Sequence, residues 1–294
     1  MANGSRLASL FGPPSAAKAL GLRPYLKWAG GKRKLVSTLV PHFALDAGPR
    51  RLVEPFCGSG AVSLALHDRA ARFWLNDTNA DVIGLLERLR DDADGLLAAT
   101  RALFVPENNL EARYYELRAE FNEAGEPLRR AALFLYLNRH GYNGLCRYNA
   151  SGAFNVPFGR YAKAPGAPLE ELEAARAFAA KTRLSSGDFR AVLAECGRGD
   201  TVYCDPPYVP LSKTASFTRY ATTDFGPVDQ RALVDAAIDA ASRGAVVVIS
   251  NHATEEARQL YAKASALEFA EVRRNISCDG ENRAVVRELI AVFR

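Results

Sequence analysis

The stretch from residue 51 to residue 77 constrains the fold more than any other part of this 294-residue chain. It contains, in order, an apolar run typical of a buried strand at 51–56, a glycine turn at 56–60, a helical pattern at 61–69 and a second strand at 73–76. This order is typical of the first βαβ unit of a doubly wound parallel sheet. Further elements are predicted as strands at 182–185, 201–204 and 245–250 and a helix near 228–242. We therefore expect an α/β fold.

Roughly a hundred residues separate the second of these strands from the third, and their charge changes sign along the chain. Residues 85–126 hold ten acidic residues against five arginines, which predicts polar helices. Residues 127–169 hold six basic residues, seven Phe or Tyr and no acid. Basic side chains neutralise phosphates and aromatic faces stack on bases, so this segment predicts a nucleic-acid surface. The alternative is a core helix at 129–139 followed by a loop with scattered arginines.

The gap in the sheet and the charge pattern together predict three parts of the chain. Residues 1–23, rich in Ala, Gly, Ser and Pro, are expected to be a flexible arm. Residues 24–79 and 168–294 are expected to form a discontinuous α/β domain, interrupted by a mostly helical inserted domain at 80–167.

Composition excludes several classes of protein. The five cysteines are widely spaced and lack a Cys-x-x-Cys pair, which argues against a disulfide scaffold and a zinc site and favours a reducing cytoplasm. No run reaches the roughly 18 apolar residues that a membrane span needs. The net charge of +5 is compatible with a nucleic-acid partner.

The glycine turn favours a nucleoside ligand over a dinucleotide. Ser63 stands where the dinucleotide fingerprint has its third glycine, so close packing on a pyrophosphate is not provided. Asp77 ends the second predicted strand, where a carboxylate can accept hydrogen bonds from ribose hydroxyls. A tight structural turn is the alternative. A second glycine loop at 28–32 does not match the phosphate-binding P-loop, and its spacing fits a structural turn and a ligand clamp equally well.

The strand at 201–204 runs directly into Asp205-Pro206-Pro207-Tyr208. Two prolines fix the chain there and remove two backbone donors. Asp205 and the Pro206 carbonyl can then both accept hydrogen bonds from one exocyclic amine, and Tyr208 can stack on the ring that carries it. Two aligned acceptors localise the lone pair of an aromatic amine and so favour its attack. The alternative is a strand end with a surface turn.

With these features, the chain resembles the D12 family of DNA methyltransferases that modify N6 of adenine, and within it the GATC-specific Dam enzymes. The similarity covers nearly the whole chain and rests on motifs at 25–32, 54–60, 137–149, 152–161, 205–208 and 272–277. Their order is the alpha arrangement of that family: glycine motif, recognition insert, then Asp-Pro-Pro-Tyr. The departures are His140, where relatives carry Tyr, and the arm at 1–23.

The resemblance implies a Rossmann-like sheet that binds S-adenosylmethionine and yields S-adenosylhomocysteine, without a metal. The implied cofactor residues are Trp28, Lys32, Phe56, Gly58, Gly60, Asp77, Asp188, Phe189 and Asp205. The implied catalytic residues are Asp205, Pro206 and Tyr208, which receive an adenine flipped out of the duplex. Methyl transfer is then direct, without a covalent enzyme intermediate.

For DNA, the resemblance implies a monomer that binds the duplex through the insert. Lys27 contacts the first base pair, Tyr142 inserts into the base stack, and the residues implied in base readout are Leu145, Arg147 and Pro157. The implied phosphate and backbone contacts are Arg118, Asn143, Asn149, Asn155, Arg160 and Tyr161. Two rivals remain: methylation of another amine, such as cytosine N4 or an RNA base, and a non-catalytic DNA-binding protein with the same fold.

Overall fold

The computed structural model describes residues 21–28, 30–46, 50–209, 225–273 and 285–294. The predicted arm at 1–23, except for its last three residues, lies outside the described residues, as does most of the motif at 272–277. The strands of the described part are β1 (Arg51–Glu54), β2 (Arg72–Asp77), β3 (Thr182–Ser186), β4 (Asp200–Cys204), β5 (Val246–His252), β6 (Ala266–Arg273) and β7 (Val285–Phe293).

These strands form one sheet in the order β3-β2-β1-β4-β5-β7-β6. The strands β1 to β5 pair in parallel, whereas β7 is antiparallel to both β5 and β6. The expected α/β fold with a Rossmann-like sheet is therefore confirmed, and the antiparallel pair at one edge was not predicted. The strand order reverses between β1 and β4, which is where open α/β sheets bind their ligands.

The helices of the described residues cover both faces of the sheet and extend beyond it. They are α1 (Val36–Leu39), α2 (Ala61–Ala65), α3 (Ala80–Asp91), α4 (Ala93–Leu103), α5 (Glu111–Glu123), α6 (Pro127–His140), α7 (Leu169–Ala180), α8 (Phe189–Ala194), α9 (Pro227–Ser242) and α10 (Glu255–Leu260). The predicted helix at 61–69 ends at Ala65, because the chain turns over residues 66–69 to reach β2.

Alternating strand residues bury their side chains in two separate cores, as expected for a sheet covered on both faces. Leu52 and Phe73 belong to a core that continues through α3 and α6 into residues 111–158. Val53 and Trp74 point the other way, into a core with α8 and α9. Thus one continuous apolar core joins the sheet to the region between β2 and β3.

The long helix α6 runs through the middle of this first core. Pro127 occupies its first turn. The Glu126 carboxylate caps the helix by accepting hydrogen bonds from the backbone N–H groups of Leu128 and Arg129. All residues from 131 to 138 are buried, so α6 is the core helix that was the alternative interpretation of its sequence. In the described part of the chain, no helix is long and apolar enough to cross a membrane.

Candidate active site and nucleic-acid interface

The site lies where the carboxyl ends of β1 and β4 meet. Val53 of β1 pairs with Val202 of β4, so the glycine turn after β1 and the segment that starts at Asp205 leave the sheet side by side. The parallel neighbour of β4 on its other side is β5, and the pair Cys204–Ile249 places Ser250 next to Asp205.

The glycine turn adopts a backbone that side chains rarely permit. Gly58 and Gly60 have φ of 49° and 63°, in the left-handed region that glycine tolerates. A Cβ built on Gly58 would come within 2.5 Å of the Trp28 Nε1 atom. The indole of Trp28 therefore packs directly against the turn, which only glycine allows.

Asp77 closes the turn from the end of β2. Its carboxylate accepts hydrogen bonds from the backbone N–H of Gly58 at 2.8 Å and of Asn79 at 2.9 Å. Burial raises the pKa of Asp77, and these two hydrogen bonds oppose that shift. A carboxylate has about four lone-pair positions, so acceptor capacity remains for ribose hydroxyls. The turn and its acid thus fit a nucleoside cofactor.

An aromatic cluster forms the wall of the site beside the turn. The ring centroids of Phe56 and Phe189 are 5.2 Å apart, and Phe225 contacts both at 5.6 and 5.7 Å. Asp188, just before Phe189, is exposed, caps α8 and pairs with Arg190 at 2.7 Å. Sequence reasoning missed Phe225, which precedes α9 and carried no motif.

A hydrogen bond and an ion pair converge on one oxygen of Asp205. The Lys32 Nζ and Ser250 Oγ atoms both lie 3.1 Å from Asp205 Oδ1. Lys32 also donates to the Gly30 carbonyl at 2.9 Å, so the second glycine loop orients this lysine. The other carboxylate oxygen, Oδ2, has no hydrogen bond from any described residue.

Tyr208 is held in place from several sides. Its hydroxyl donates to Glu288 Oε2 at 3.1 Å, and its ring packs edge-on against His252 at 4.8 Å. Lys32 Nζ lies over the ring, 4.6 Å from its centroid. Burial raises the pKa of Tyr208 well above its ordinary value, so the hydroxyl stays protonated.

The two prolines present their carbonyls differently. Gln230 Nε2 donates to the Pro207 carbonyl at 2.7 Å and fixes the segment to α9. Among the described residues, none donates to the Pro206 carbonyl. The Asp205 Oδ2 atom and the Pro206 carbonyl are therefore the acceptors that remain for an incoming amine.

The structure adds residues that motif reasoning did not name, including Ser250, Glu288 and Gln230. Only Ser250 had a usable signal in the sequence: it ends a strand predicted to lie in the same parallel sheet as the strand before Asp205, and the carboxyl ends of parallel strands share one edge. Glu288 lies on β7, which was not predicted. Gln230 lies in a helix that was predicted without a role.

A buried amide connects this site to the region between β2 and β3. Asn138 on α6 accepts a hydrogen bond from the Lys27 N–H at 2.8 Å and donates to the Lys27 carbonyl at 2.8 Å and the Gly144 carbonyl at 3.1 Å. The Lys27 ammonium donates to the Arg139 carbonyl at 2.9 Å and lies 4.2 Å from the ring centroid of Tyr161. Desolvation and the nearby Arg139 charge lower the pKa of Lys27.

Most of the predicted nucleic-acid residues lie on a loop and a hairpin beyond α6, whereas Arg118 lies on α5 and Lys27 precedes α1. Tyr142 is 46% exposed, and Asn143 beside it has a left-handed φ of 52°. The hairpin is closed by the pairing of Tyr148 with Phe154. Arg147 Nε donates to Asn155 Oδ1 at 2.8 Å, which holds the exposed guanidinium against the hairpin.

The remaining predicted DNA residues are spread around this loop and hairpin. Leu145 is half-buried and Pro157 is exposed. Asn149 turns the hairpin by accepting from Ser151 and Ala153. The arginines and the tyrosine already have partners: Arg118 donates to the Val156 carbonyl, Arg160 to Glu111, and the Tyr161 hydroxyl to the Gly141 carbonyl.

Part of the aromatic segment serves the core instead of a surface. Phe134, Tyr136 and Phe154 are at most 1% exposed, so the prediction that the whole aromatic set stacks on bases is wrong for these three. His140 is also buried: it stacks on Tyr136 at 4.1 Å, and burial lowers its pKa to about 4. This histidine therefore packs as a neutral ring.

The sequence is similar to known proteins over most of its length, including the segments that form this site. A family model described as D12 class N6 adenine-specific DNA methyltransferase matches residues 28–275. The DNA adenine methylase of Escherichia coli K12 is 44% identical over 272 residues, which cover 92% of this chain and 95% of that protein. The DNA adenine methylase of Serratia marcescens is 46% identical over 276 residues, with 92% and 98% covered.

One solved structure illustrates a distant likeness. The tRNA (m1A58) methyltransferase of Aquifex aeolicus aligns over 92% of this chain and 72% of that chain, with 11% identity and a TM-score of 0.37. The strand order of the chain itself establishes the fold.

Proposed function

The chain belongs to the D12 class of N6 adenine-specific DNA methyltransferases, and we propose that it recognises GATC in duplex DNA, flips out the adenine and methylates it directly from S-adenosylmethionine. The methylation of adenine N6 in DNA follows from the family. One observation carries the finer proposal: Asp205 and Tyr208 stand beside the glycine turn, while exposed Tyr142 and Arg147 lie on a loop and hairpin tied to the same site through Lys27.

The cofactor site is proposed at the turn between β1 and α2. S-adenosylmethionine supplies, when bound, a methyl group activated by its sulfonium. Asp77 accepts from the ribose, and the backbone at Gly58 leaves room for close approach. The aromatic pair of Phe56 and Phe189 covers the adenine ring of the cofactor, with Asp188 at the edge of that ring. Trp28, Lys32 and Gly60 complete the proposed set.

The target amine is received by Asp205 Oδ2 and the Pro206 carbonyl. Two acceptors at fixed positions draw the two amine protons into one geometry, which turns the nitrogen lone pair toward the methyl group. Tyr208 offers a ring face for the flipped adenine once the Lys32 ammonium has moved from it. Burial raises the pKa of the Cys57 and Cys204 thiols well above the ordinary value, so neither is a ready nucleophile, which supports direct transfer.

Residues 80–167 are the proposed DNA-recognition segment of an otherwise discontinuous methyltransferase domain. Tyr142 is placed to enter the base stack, and Arg147 presents a planar donor pair suited to guanine. Lys27 reads the first base pair, with Leu145 and Pro157 contributing apolar contacts. The proposed contacts with the DNA backbone are made by Asn143, Asn149, Asn155, Arg118, Arg160 and Tyr161. The enzyme is proposed to act as a monomer in the cytoplasm, where its DNA substrate lies.

The test incubates purified protein with S-adenosylmethionine and an unmethylated plasmid, followed by nucleases that cut GATC only when it is methylated or only when it is not. Sensitivity to the first nuclease and protection from the second are expected. Methyl label entering DNA without these changes refutes GATC, and N4-methylcytosine among the digested nucleosides would identify the rival base. Cofactor and DNA binding without methyl transfer would favour the non-catalytic rival, and Asp205→Ala provides the inactive reference.

A further inference from the structure

The carboxylate of Asp205 is held by a chain of hydroxyls that the proposed function does not use. Ser250 Oγ lies 3.1 Å from Asp205 Oδ1 and 2.9 Å from the Tyr203 hydroxyl. Ser250 and Tyr203 are 0% and 1% exposed, so water does not compete for these hydrogen bonds. The three residues come from two neighbouring parallel strands and the turn that follows one of them.

The direction of each hydrogen bond follows from the number of protons. A carboxylate only accepts, so Ser250 gives its single hydroxyl proton to Asp205. The Tyr203 hydroxyl must then donate to Ser250. Burial and the charge of Asp205 raise the pKa of Tyr203 well above its ordinary value, which keeps that proton in place.

The same oxygen of Asp205 also faces the Lys32 ammonium, at 3.1 Å. Lysine is a point charge on a flexible stem and does not fix the plane of a carboxylate by itself. A hydrogen-bond donor on Oδ1 that comes from a rigid strand does so. Oδ1 then has a hydrogen bond from Ser250 and an ion pair with Lys32, while Oδ2 receives no hydrogen bond from the described residues.

We propose that Ser250, oriented by Tyr203, is a positioning residue that sets the rotation of the Asp205 carboxylate and so presents Oδ2 to the target amine. This inference rests on the proposed function for the role of Asp205. It adds the residues that select which oxygen of Asp205 accepts from the target amine.

Single-turnover methylation of a GATC duplex by Ser250→Ala tests the proposal. The rate should fall about 10- to 100-fold, the scale expected when an aligned catalytic group loses its orientation. The dissociation constants for S-adenosylmethionine and for DNA should stay within about twofold, because Ser250 is 0% exposed and belongs to neither the proposed cofactor set nor the proposed DNA set. Ser250→Thr keeps the hydroxyl and should restore most of the rate, and Tyr203→Phe should give an intermediate loss.

Asp205→Asn tests the choice of oxygen. Ser250 donates its hydroxyl proton at the Oδ1 position, so it holds the carboxamide oxygen there and turns the NH2 group toward the target amine. A donor then faces a donor, and the rate should fall to that of Asp205→Ala. A rate clearly above that reference would overturn the assignment of Oδ2.

Thr201→Val is the matched control. Thr201 lies on the same strand as Tyr203, is 0% exposed, and its hydroxyl has no hydrogen-bond partner among the described residues. Its loss should leave the rate unchanged. If Ser250→Ala keeps the wild-type rate, or loses rate and both affinities together, the positioning role is refuted. If the wild-type protein itself transfers no methyl group, the proposed function fails instead, and the role of Ser250 fails with it.

Discussion

Replacing Asn138 with alanine should weaken the fold and the recognition of DNA together, because this side chain joins two segments that are far apart in sequence. Its amide makes one hydrogen bond to the Lys27 N–H and one to the Lys27 carbonyl, both at 2.8 Å, and a third to the Gly144 carbonyl at 3.1 Å. Asn138 is 0% exposed, so water cannot replace the lost partner in place.

The expected magnitude follows from these three bonds. Each buried hydrogen bond to a neutral backbone group contributes about 1 kcal/mol, and the groups left unpaired add to the cost. Asn138→Ala should therefore lower the free energy of unfolding by about 2 to 4 kcal/mol. For a protein of this size, that corresponds to a decrease in Tm of about 3 to 7 °C.

Urea unfolding measures the stability, and competition between specific and mismatched duplexes measures recognition. Asn122→Ala is the control: its amide makes two comparable bonds with the backbone of Phe154, but Asn122 is exposed, so about 1 kcal/mol is expected. Discrimination at the base pair that Lys27 is proposed to contact should fall in Asn138→Ala but not in the control. If Asn138→Ala lowers the free energy of unfolding by less than Asn122→Ala does, and leaves base-pair discrimination unchanged, this reasoning is refuted.

Three further predictions concern pH, base readout and salt. Burial raises the pKa of Glu54 to about 7, against 4.5 for an exposed glutamate. The folded protein therefore holds a proton that the unfolded chain releases. The free energy of unfolding of the wild-type protein decreases as the pH rises from about 4.5 to 7. Between pH 5 and pH 8, the stability of Glu54→Gln should therefore gain about 2 to 3 kcal/mol relative to wild type. Arg147→Ala should reduce discrimination at one base pair by about 1 to 3 kcal/mol, measured by competition binding. Arg160→Ala should lower the slope of log affinity against log salt by about 1 while leaving base discrimination intact.

Each of these has a clear contrary result. A constant difference between Glu54→Gln and wild type across pH 5 to 8 would show that the carboxyl does not titrate in this range. If Arg147→Ala lowers the affinity for all duplexes equally, Arg147 contacts a phosphate and not a base. An unchanged salt slope in Arg160→Ala would leave its ion pair with Glu111 as its whole role.

Local sequence patterns were enough to predict which segments meet at the centre of the candidate site. The strand, glycine turn and following acid at 51–77 form a unit whose geometry depends on near neighbours, since Gly58 and Gly60 need a left-handed backbone and Asp77 ends the next strand. The two prolines after Asp205 restrict the chain wherever it lies. Strand order in a parallel sheet then brings both segments to one crevice.

Contacts between distant segments were decided only by the tertiary structure. Asn138 and Lys27 are 111 positions apart, Tyr208 and Glu288 are 80 apart, and no local pattern marks either pair. The aromatic residues at 134–154 show the same limit, because their composition suits a nucleic-acid surface, yet packing around α6 buries three of them. Periodicity and turn chemistry act over a few residues, whereas burial and hydrogen-bond partners depend on how whole elements pack, and that is why the sequence determined the chemistry of the site and the fold determined what holds it in place.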